Sequence, residues 1–343
     1  MRWYVATLVL GACQFDSNVA NGGDADSTGS GTTHAMTMGA TSLSTSSTST
    51  DATGSTTDTP TTSTTATDTT DAAESSESSS STGPGVEPFE VGPFDTPTPI
   101  EILNSFGNDD DPTLRGDTLE IYFATNRNGS EEIFRAERTG LDADWMAPAR
   151  VDAFDTIDFE TTPELSPDGL TMVLAIQDFD SETDLFVSTR EGVDTVDWSA
   201  LEPIGQLNTG IGDLGLVYTD DLFTAYFCRR DMAGARLFRA TRDLDSGPFE
   251  LLVELDLGIA EYDCNPWIDA TGSTLVFASG DNDGERDIVF ARVDGEGFEP
   301  IEVVDSVSTE VDDNDPWLSP DGGMIVFSRY IGDHQELMWA LRP

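Results

Sequence analysis

Five short stretches of the chain concentrate side chains that could do chemistry: Asp109-Asp110-Asp111, Glu160, Asp213, Glu261-Tyr262-Asp263 and Asp312-Asp313-Asn314-Asp315. Carboxylates brought together raise one another's pKa or recruit a cation, and hard oxygen ligands favour Ca2+. Candidates for a cation or a polar ligand are Asp111, Glu160, Asp213, Glu261, Asp263, Asp313 and Asp315, with Asp111, Asp263 and Asp315 as calcium ligands. A second chemistry is open to the same residues. Glycoside hydrolysis needs two carboxyls roughly 5–5.5 Å or 6.5–9.5 Å apart, and Asp111, Glu160, Asp213, Glu261 or Asp315 could supply such a pair. The plain alternative is that these acids point outward from solvated loops.

Other chemistries are closed. All 16 basic residues are Arg, so there is no lysine for a P-loop or a Schiff base. Of the two histidines, His34 falls in low-complexity sequence, which leaves only His334 for any Ser-His-Asp or Cys-His arrangement. A His-rich zinc site cannot be built. With 65 acidic residues the net charge is −49, which repels phosphate and argues against nucleic acid and against a basic lipid-binding patch. Cys228 and Cys264 could form a disulfide in an oxidising compartment, although spacing alone cannot establish one.

The elements that must position the acids repeat. Five segments recur every 50 to 52 residues, beginning at Asp111-Pro112, Thr162-Pro163, Leu214-Gly215, Asn265-Pro266 and Asp315-Pro316. Each is followed by a turn, clearest as Ser166-Pro-Asp-Gly and Ser319-Pro-Asp-Gly, where Pro presets the first turn angle and Gly takes the positive one. A β-rich run such as Ile325-Val-Phe comes next, then a polar hairpin, a third strand such as Asp184-Leu-Phe, and an edge strand behind an aromatic. The hairpin Asp281-Asn-Asp283-Gly-Glu285 faintly resembles the start of an EF-hand but lacks its twelfth-position Glu, and reads as a turn.

Four short antiparallel strands per unit at this period predict propeller blades, in an all-β fold of five. The last repeat ends after three strands, so Pro93-Phe94 to Leu103-Asn104 is expected to supply its fourth and close the ring. Phe94, Trp145, Trp198, Phe249 and Phe298 should then be equivalent, and Trp267 and Trp317 should lie in the core. The acids precede the innermost strands and would converge on one mouth of the axial channel.

The Ser-Pro-Asp-Gly units with their following strands and Asp-Ile or Asp-Leu pairs resemble TolB-type propeller repeats over residues 93–343. The resemblance is sharp in the second, fourth and fifth repeats and degenerate in the first and third. It implies an interaction scaffold of the cell envelope without chemistry of its own. TolB itself has six blades and a separate α/β domain, neither of which is expected here.

At the other end, Met1-Arg2, the apolar run Trp3–Leu10 and Gly11-Ala12-Cys13 resemble a bacterial lipoprotein signal. The resemblance implies a signal peptide over 1–12 and lipidation of Cys13, and Gln14 leans towards the outer membrane. Residues 13–92, rich in Ser, Thr and Asp, cannot offset the entropy of ordering and are expected to form a disordered tether, which precedes the propeller of 93–343.

The chain thus reads as a monomeric binding lipoprotein of the cell envelope, facing the periplasm or the outside. It meets the membrane through its lipid anchor only and binds an envelope protein or polysaccharide, with no cofactor beyond Ca2+. A glycoside hydrolase and a passive knob are the alternatives. Replacing Cys13 by Ser should release the protein from the membrane fraction; a variant that still sediments with lipid would overturn the anchor.

Overall fold

The computed structural model describes residues 89–178, 182–243, 247–257, 261–282, 284–294 and 297–343, so Cys13, His34, Asp283 and the stretch before Phe89 lie outside it. The described residues form twenty strands and no helix. They group into antiparallel meanders of four, innermost strand first. The first contains β2 (Asp109–Leu114), β3 (Glu120–Thr125), β4 (Glu132–Glu137) and β5 (Ala149–Arg150). The second contains β6 (Phe159–Leu165), β7 (Thr171–Gln177), β8 (Thr183–Thr189) and β9 (Glu202–Pro203). The third contains β10 (Gly212–Tyr218), β11 (Thr224–Asp231), β12 (Gly234–Thr241) and β13 (Leu251–Glu254). The fourth contains β14 (Tyr262–Ile268), β15 (Thr274–Gly280), β16 (Arg286–Asp294) and β17 (Gly297–Val303). One parallel bridge, Ala235 to Tyr262, links the third to the fourth.

The last meander is discontinuous in sequence. Strands β18 (Asp313–Leu318), β19 (Met324–Ile331) and β20 (His334–Leu341) take β1 (Thr98–Pro99) as their outer edge, with Thr98 opposite Trp339 and Pro99 opposite Met338. Asn104 extends this join, accepting from Leu337 N at 2.8 Å and donating to Leu337 O at 3.1 Å. Asn208 does the same to Leu185 inside the second meander, at 2.9 and 3.0 Å. Packing against the sheets begins before Pro93: Phe89 lies 5.2 Å from the Trp267 ring. The innermost strands touch in a cycle, β2 to β6, β10, β14, β18 and back to β2, as they do in a β-propeller.

The same turn ends all five innermost strands. Ser166 donates to Asp168 at 2.6 Å and Ser319 to Asp321 at 2.6 Å, while Thr219 donates to Asp221 at 2.7 Å. Gly169, Gly272 and Gly322 take the left-handed position at φ 72°, 69° and 67°. Thr118 and Leu222 take it at φ 61° in the first and third repeats, where the motif is degenerate. The geometry persists there without the residue that makes it easy. Trp267 and Trp317 are buried in the core, as expected of side chains that large. Asp281 and Glu285 stand between β15 and β16, with Asp281 N donating to Glu285 O at 3.2 Å.

Arginines hold the meanders together. Arg138, Arg190 and Arg242 follow the third strands and stack 4.6, 4.7 and 4.9 Å over Trp145, Trp198 and Phe249. Each also donates through Nε to a carbonyl of the turn, Thr118, Gly169 or Leu222, at 2.7–2.8 Å. Residues 95, 146, 199 and 250 bond the residue before the corresponding arginine in four repeats, so Phe94, Trp145, Trp198 and Phe249 share one register. Cys228 and Cys264 are disulfide-bonded with Cα atoms 5.2 Å apart, joining the third meander to the fourth.

Between the first and second meanders lies a buried charge cluster. Glu120 accepts from Arg190 at 2.9 and 3.0 Å, from Arg135 at 2.5 Å and from the Tyr122 hydroxyl at 2.8 Å. Burial alone would raise its pKa, but these donors bring the carboxyl down from 4.5 to about 2. A folded-state pKa below the unfolded one gives stability that is complete above pH 4.5 and fades as pH falls towards 2. Glu120→Gln would leave the fully buried Arg190 without its counter-charge, a loss of about 3–5 kcal/mol at pH 7. In denaturant unfolding the two proteins should converge between pH 4.5 and 2; a gap constant across that window would show that the Glu120 charge is not its source.

Candidate functional site

The register of the innermost strands sorts the acids into two rings. The first ring is Asp109, Glu160, Asp213, Asp263 and Asp313, paired across the sheet with Thr125, Ile176, Arg229, Ser279 and Arg329. Two residues on, each strand bulges, and the bulge residue has positive φ in every repeat: Asp111 49°, Thr162 42°, Gly215 61°, Asn265 52° and Asp315 54°. Asp, Asn and Gly tolerate this conformation best, which accounts for four of the five.

The first ring is mostly architecture. Asp109, Asp213 and Asp313 accept from Arg127, Arg229 and Arg329 at 2.5, 2.7 and 2.5 Å. They also accept from backbone N–H groups of Ser105, Thr209 and Thr309 at 2.5, 2.7 and 2.7 Å. Asp263 accepts from Ser279 at 2.7 Å, and burial pushes its pKa up. Glu160 has no arginine. Its donors are Thr156 N at 3.2 Å and the Thr156 hydroxyl, and burial lifts its carboxyl to about 7, with Asp155 and Glu132 adding to the rise.

The second ring is bonded around the axis. Asp315 accepts from Asp111 N at 3.3 Å, Asp111 from Thr162 N at 3.1 Å, and Thr162 Oγ1 from Gly215 N at 3.2 Å. Asn265 donates to Asp315, and Thr161 to Asp111 at 2.7 Å. At this level the channel, lined by Asp111, Thr162, Glu164, Gly215, Asn265 and Asp315, leaves about 10 Å3 for the centre of a water-sized body. Asp110 and Glu131 stand beside it: oxygens of Asp110, Asp111 and Glu131 lie within 4.8 Å of one another.

Among the described residues no ion pair reaches Asp110, Asp111, Glu131, Glu164 or Asp315. Burial pushes Asp110, Glu164 and Asp315 well above the usual carboxylate range, and the charge of Asp111 adds to each. Burial, then Asp111, lifts Glu131 to about 7.

The seven expected site residues therefore divide. Asp111 and Asp315 meet in the second ring. Glu160, Asp213, Asp263 and Asp313 belong to the first, so Asp263 does not join Asp111 and Asp315 as the expected calcium trio. The reason is the two-residue offset along an alternating strand, with the Asp263 carboxylate taken by Ser279. Glu261 precedes β14 with an exposed side chain and contributes its carbonyl, which accepts from Ala235 N at 3.1 Å. Two residues join that were not singled out, Glu131 and Glu164. Glu131 lies in the β3–β4 hairpin, where only the three-dimensional fold brings it to the channel. Glu164 stands where Trp267 and Trp317 stand in other repeats, and that exchange is visible in the sequence.

Space of ligand size lies elsewhere. A cleft of about 940 Å3 between the last and first meanders is lined by Ile100, Ile102, Leu141, Trp145, Trp339 and Leu341, among others. It includes Thr118, Ser319 and Asp321, from the turns that end the inner strands, and not the residues that begin them.

No protein-family model matches the chain, and no curated protein matches its sequence. Solved structures do match. The catalytic domain of a GH62 α-L-arabinofuranosidase from Coprinopsis cinerea is 13% identical with a TM-score of 0.51, over 72% of this chain and 96% of that one. An endo-arabinase from Bacteroides thetaiotaomicron is 14% identical with a TM-score of 0.51, over 74% of this chain and 98% of that one. TolB from Acinetobacter baumannii is 14% identical with a TM-score of 0.47; the match covers 70% of this chain and spans 56% of that protein. With the cyclic contacts, the two arabinan-type structures establish a β-propeller fold, and at this identity nothing more.

A carboxyl whose folded-state pKa is raised to about 7 costs stability where it is ionised, and the loss is recovered as pH falls through that value towards its ordinary 4.5. Glu160→Gln should therefore melt above the wild type at pH 8 and show a smaller gain between pH 8 and 5. Glu131, with the same sign, keeps the remaining slope. Superimposable melting curves across this range would refute the assignment.

Proposed function

We propose that the chain is a lipid-anchored envelope protein whose five-bladed, TolB-type propeller, closed by its own N-terminal strand, acts as a non-enzymatic binding scaffold. One observation carries the non-enzymatic reading: the buried channel carboxyls and the cleft of about 940 Å3 are in different places. Glycoside hydrolysis needs a proton donor and its partner carboxylate on either side of a sugar. Glu164 and Asp315 in the channel have raised pKa values, yet the room at their level is about 10 Å3, the space of one water or one ion. In the cleft of about 940 Å3, Asp321 is the opposite of a proton donor, held low by the Ser319 hydroxyl and Gly323 N–H. The cleft's apolar wall, with Leu141 68% and Ile102 50% exposed, is what a partner or the face of a sugar ring would cover.

The envelope location is supported by the lipoprotein-like start of the sequence and by the disulfide, since such bonds persist in oxidising compartments. A glycoside hydrolase remains the second reading because the arabinan-type structures share the fold.

Two measurements on the full-length protein separate these readings. Immobilised wild type should retain a polysaccharide or an envelope protein that Leu141→Asp, altered at an exposed position, no longer holds. A panel of arabinans and xylans should yield no new reducing ends. Sugar release that disappears in Asp111→Asn or Glu131→Gln would establish the hydrolase instead, and retention indifferent to Leu141→Asp would remove the cleft as the binding surface.

A further inference from the structure

Two buried acceptors at the channel have no partner among the described residues. Asp110 is 7% exposed, and its Oδ1 has no hydrogen-bond partner. Asn265, 8% exposed in the wall of the same channel, gives both of its amide protons' bonds to Asn314 and Asp315 and leaves its own Oδ1 without a donor. Buried polar atoms are as a rule paired, and an orphaned one costs the full desolvation of the group. Both orphans here are oxygens, so what is missing is a donor or a cation.

The surrounding groups favour a cation. Asp111, Thr161 and Thr162 use the available hydroxyl and N–H donors among themselves, Thr161 reaching Glu131 only at 3.5 Å. Ser328 is committed to Asp315 at 2.5 Å. Arg230, the cation whose field reaches Glu131, is exposed at the end of its strand and makes no ion pair with the acids. A water could donate to an orphan oxygen, but it would leave the negative charge uncompensated.

We propose that Asp110, Asp111 and Glu131 bind one Ca2+ at the channel mouth, with water as the further oxygen ligands. Ca2+ takes oxygens at about 2.3–2.6 Å, so two ligands of one ion lie at most ~5 Å apart. The three carboxylates meet that limit, with oxygens within 4.8 Å of one another. Carboxylates from one strand and a hairpin also give the flexible, all-oxygen set that suits Ca2+ better than the stricter octahedron of Mg2+. The ion would tie the β3–β4 hairpin of the first meander to the bulge at Asp111. This site does not depend on the scaffold reading: a hydrolase or a passive propeller could hold it equally well.

The test uses the full-length protein, stripped with chelator, in about 150 mM salt so that the diffuse charge of the chain is screened. Calcium titration by calorimetry should show one saturable equivalent. Tb3+ in its place should luminesce on excitation of tyrosine, because Tyr262 lies in the field of Asp111 and Asp315. Asp110→Asn and Glu131→Gln should each weaken binding at least tenfold and abolish the calcium-dependent rise in melting temperature. In chelator the same variants should melt above the wild type, since each removes a repelling charge. That reversal between chelator and calcium also shows that the variants fold. Asp333→Asn, whose side chain is 98% exposed, should bind as the wild type does. Absence of a saturable equivalent, or equal affinity in wild type and both site variants, would overturn the proposal.

Discussion

The fold depends on the bulge that interrupts each innermost strand. At the bulge the register of the ladder shifts in all five repeats. There a side chain of the preceding repeat accepts from the backbone N–H: Asp315 from Asp111, Asp111 from Thr162, Thr162 from Gly215. Three consecutive repeats are completed by the neighbour before them, and the fifth completes the first. The arrangement requires a short acceptor side chain in a left-handed conformation. Asp and Asn meet that condition at the least conformational cost, so carboxylates near the axis are to this extent a consequence of making the ring.

The arginines answer the same demand farther out. A guanidinium offers five donors in a rigid plane and can stack on a ring while it bonds, which an ammonium cannot do. Arg138, Arg190 and Arg242 use both faculties, and Arg127, Arg229 and Arg329 clamp the first-ring acids while also donating to Leu103, Leu207 and Val307 carbonyls. Lysine would fail at either position. The absence of lysine in a chain of net charge −49 is therefore intelligible for these arginines as a structural requirement.

Much of this was legible in the sequence. The 50-residue period, the turn chemistry at Ser166 and Ser319, and the fourth strand displaced to the N-terminus each rest on a local pattern that the packing does not override. The pairing of β1 with β20 follows directly from Leu103-Asn104 repeating Leu207-Asn208. The site was legible only in outline. Acids ahead of a strand can be counted, but which face each one takes is set by the bulge, and a one-residue insertion reverses every side chain after it. Asp263 and Asp315 fall in different rings because they stand two positions apart in the repeat, Asp263 matching Asp313 and Asn265 matching Asp315. Glu131 escaped notice because it lies in a hairpin distant in sequence from the repeat's conspicuous acids.

Ring closure explains Asp111 and Asp315, but not Asp110, Glu131 or Glu164. Asp110 accepts nothing at Oδ1, and its counterparts in other repeats are Thr161, Leu214, Cys264 and Asn314, none of them charged. Glu164 occupies a position where Trp267 and Trp317 pack as apolar core. A neutral residue at any of the three would relieve repulsion without disturbing the bulge geometry, so the acids lower stability where they stand. Positions that break a local rule without structural return are where function is to be sought. The first and second repeats, which contribute Asp110, Asp111, Glu131 and Glu164, therefore distinguish one side of an otherwise five-fold channel. An asymmetric concentration of negative charge on a symmetric frame is what a single bound cation requires, whereas a purely architectural role would have repeated the same residue around the ring.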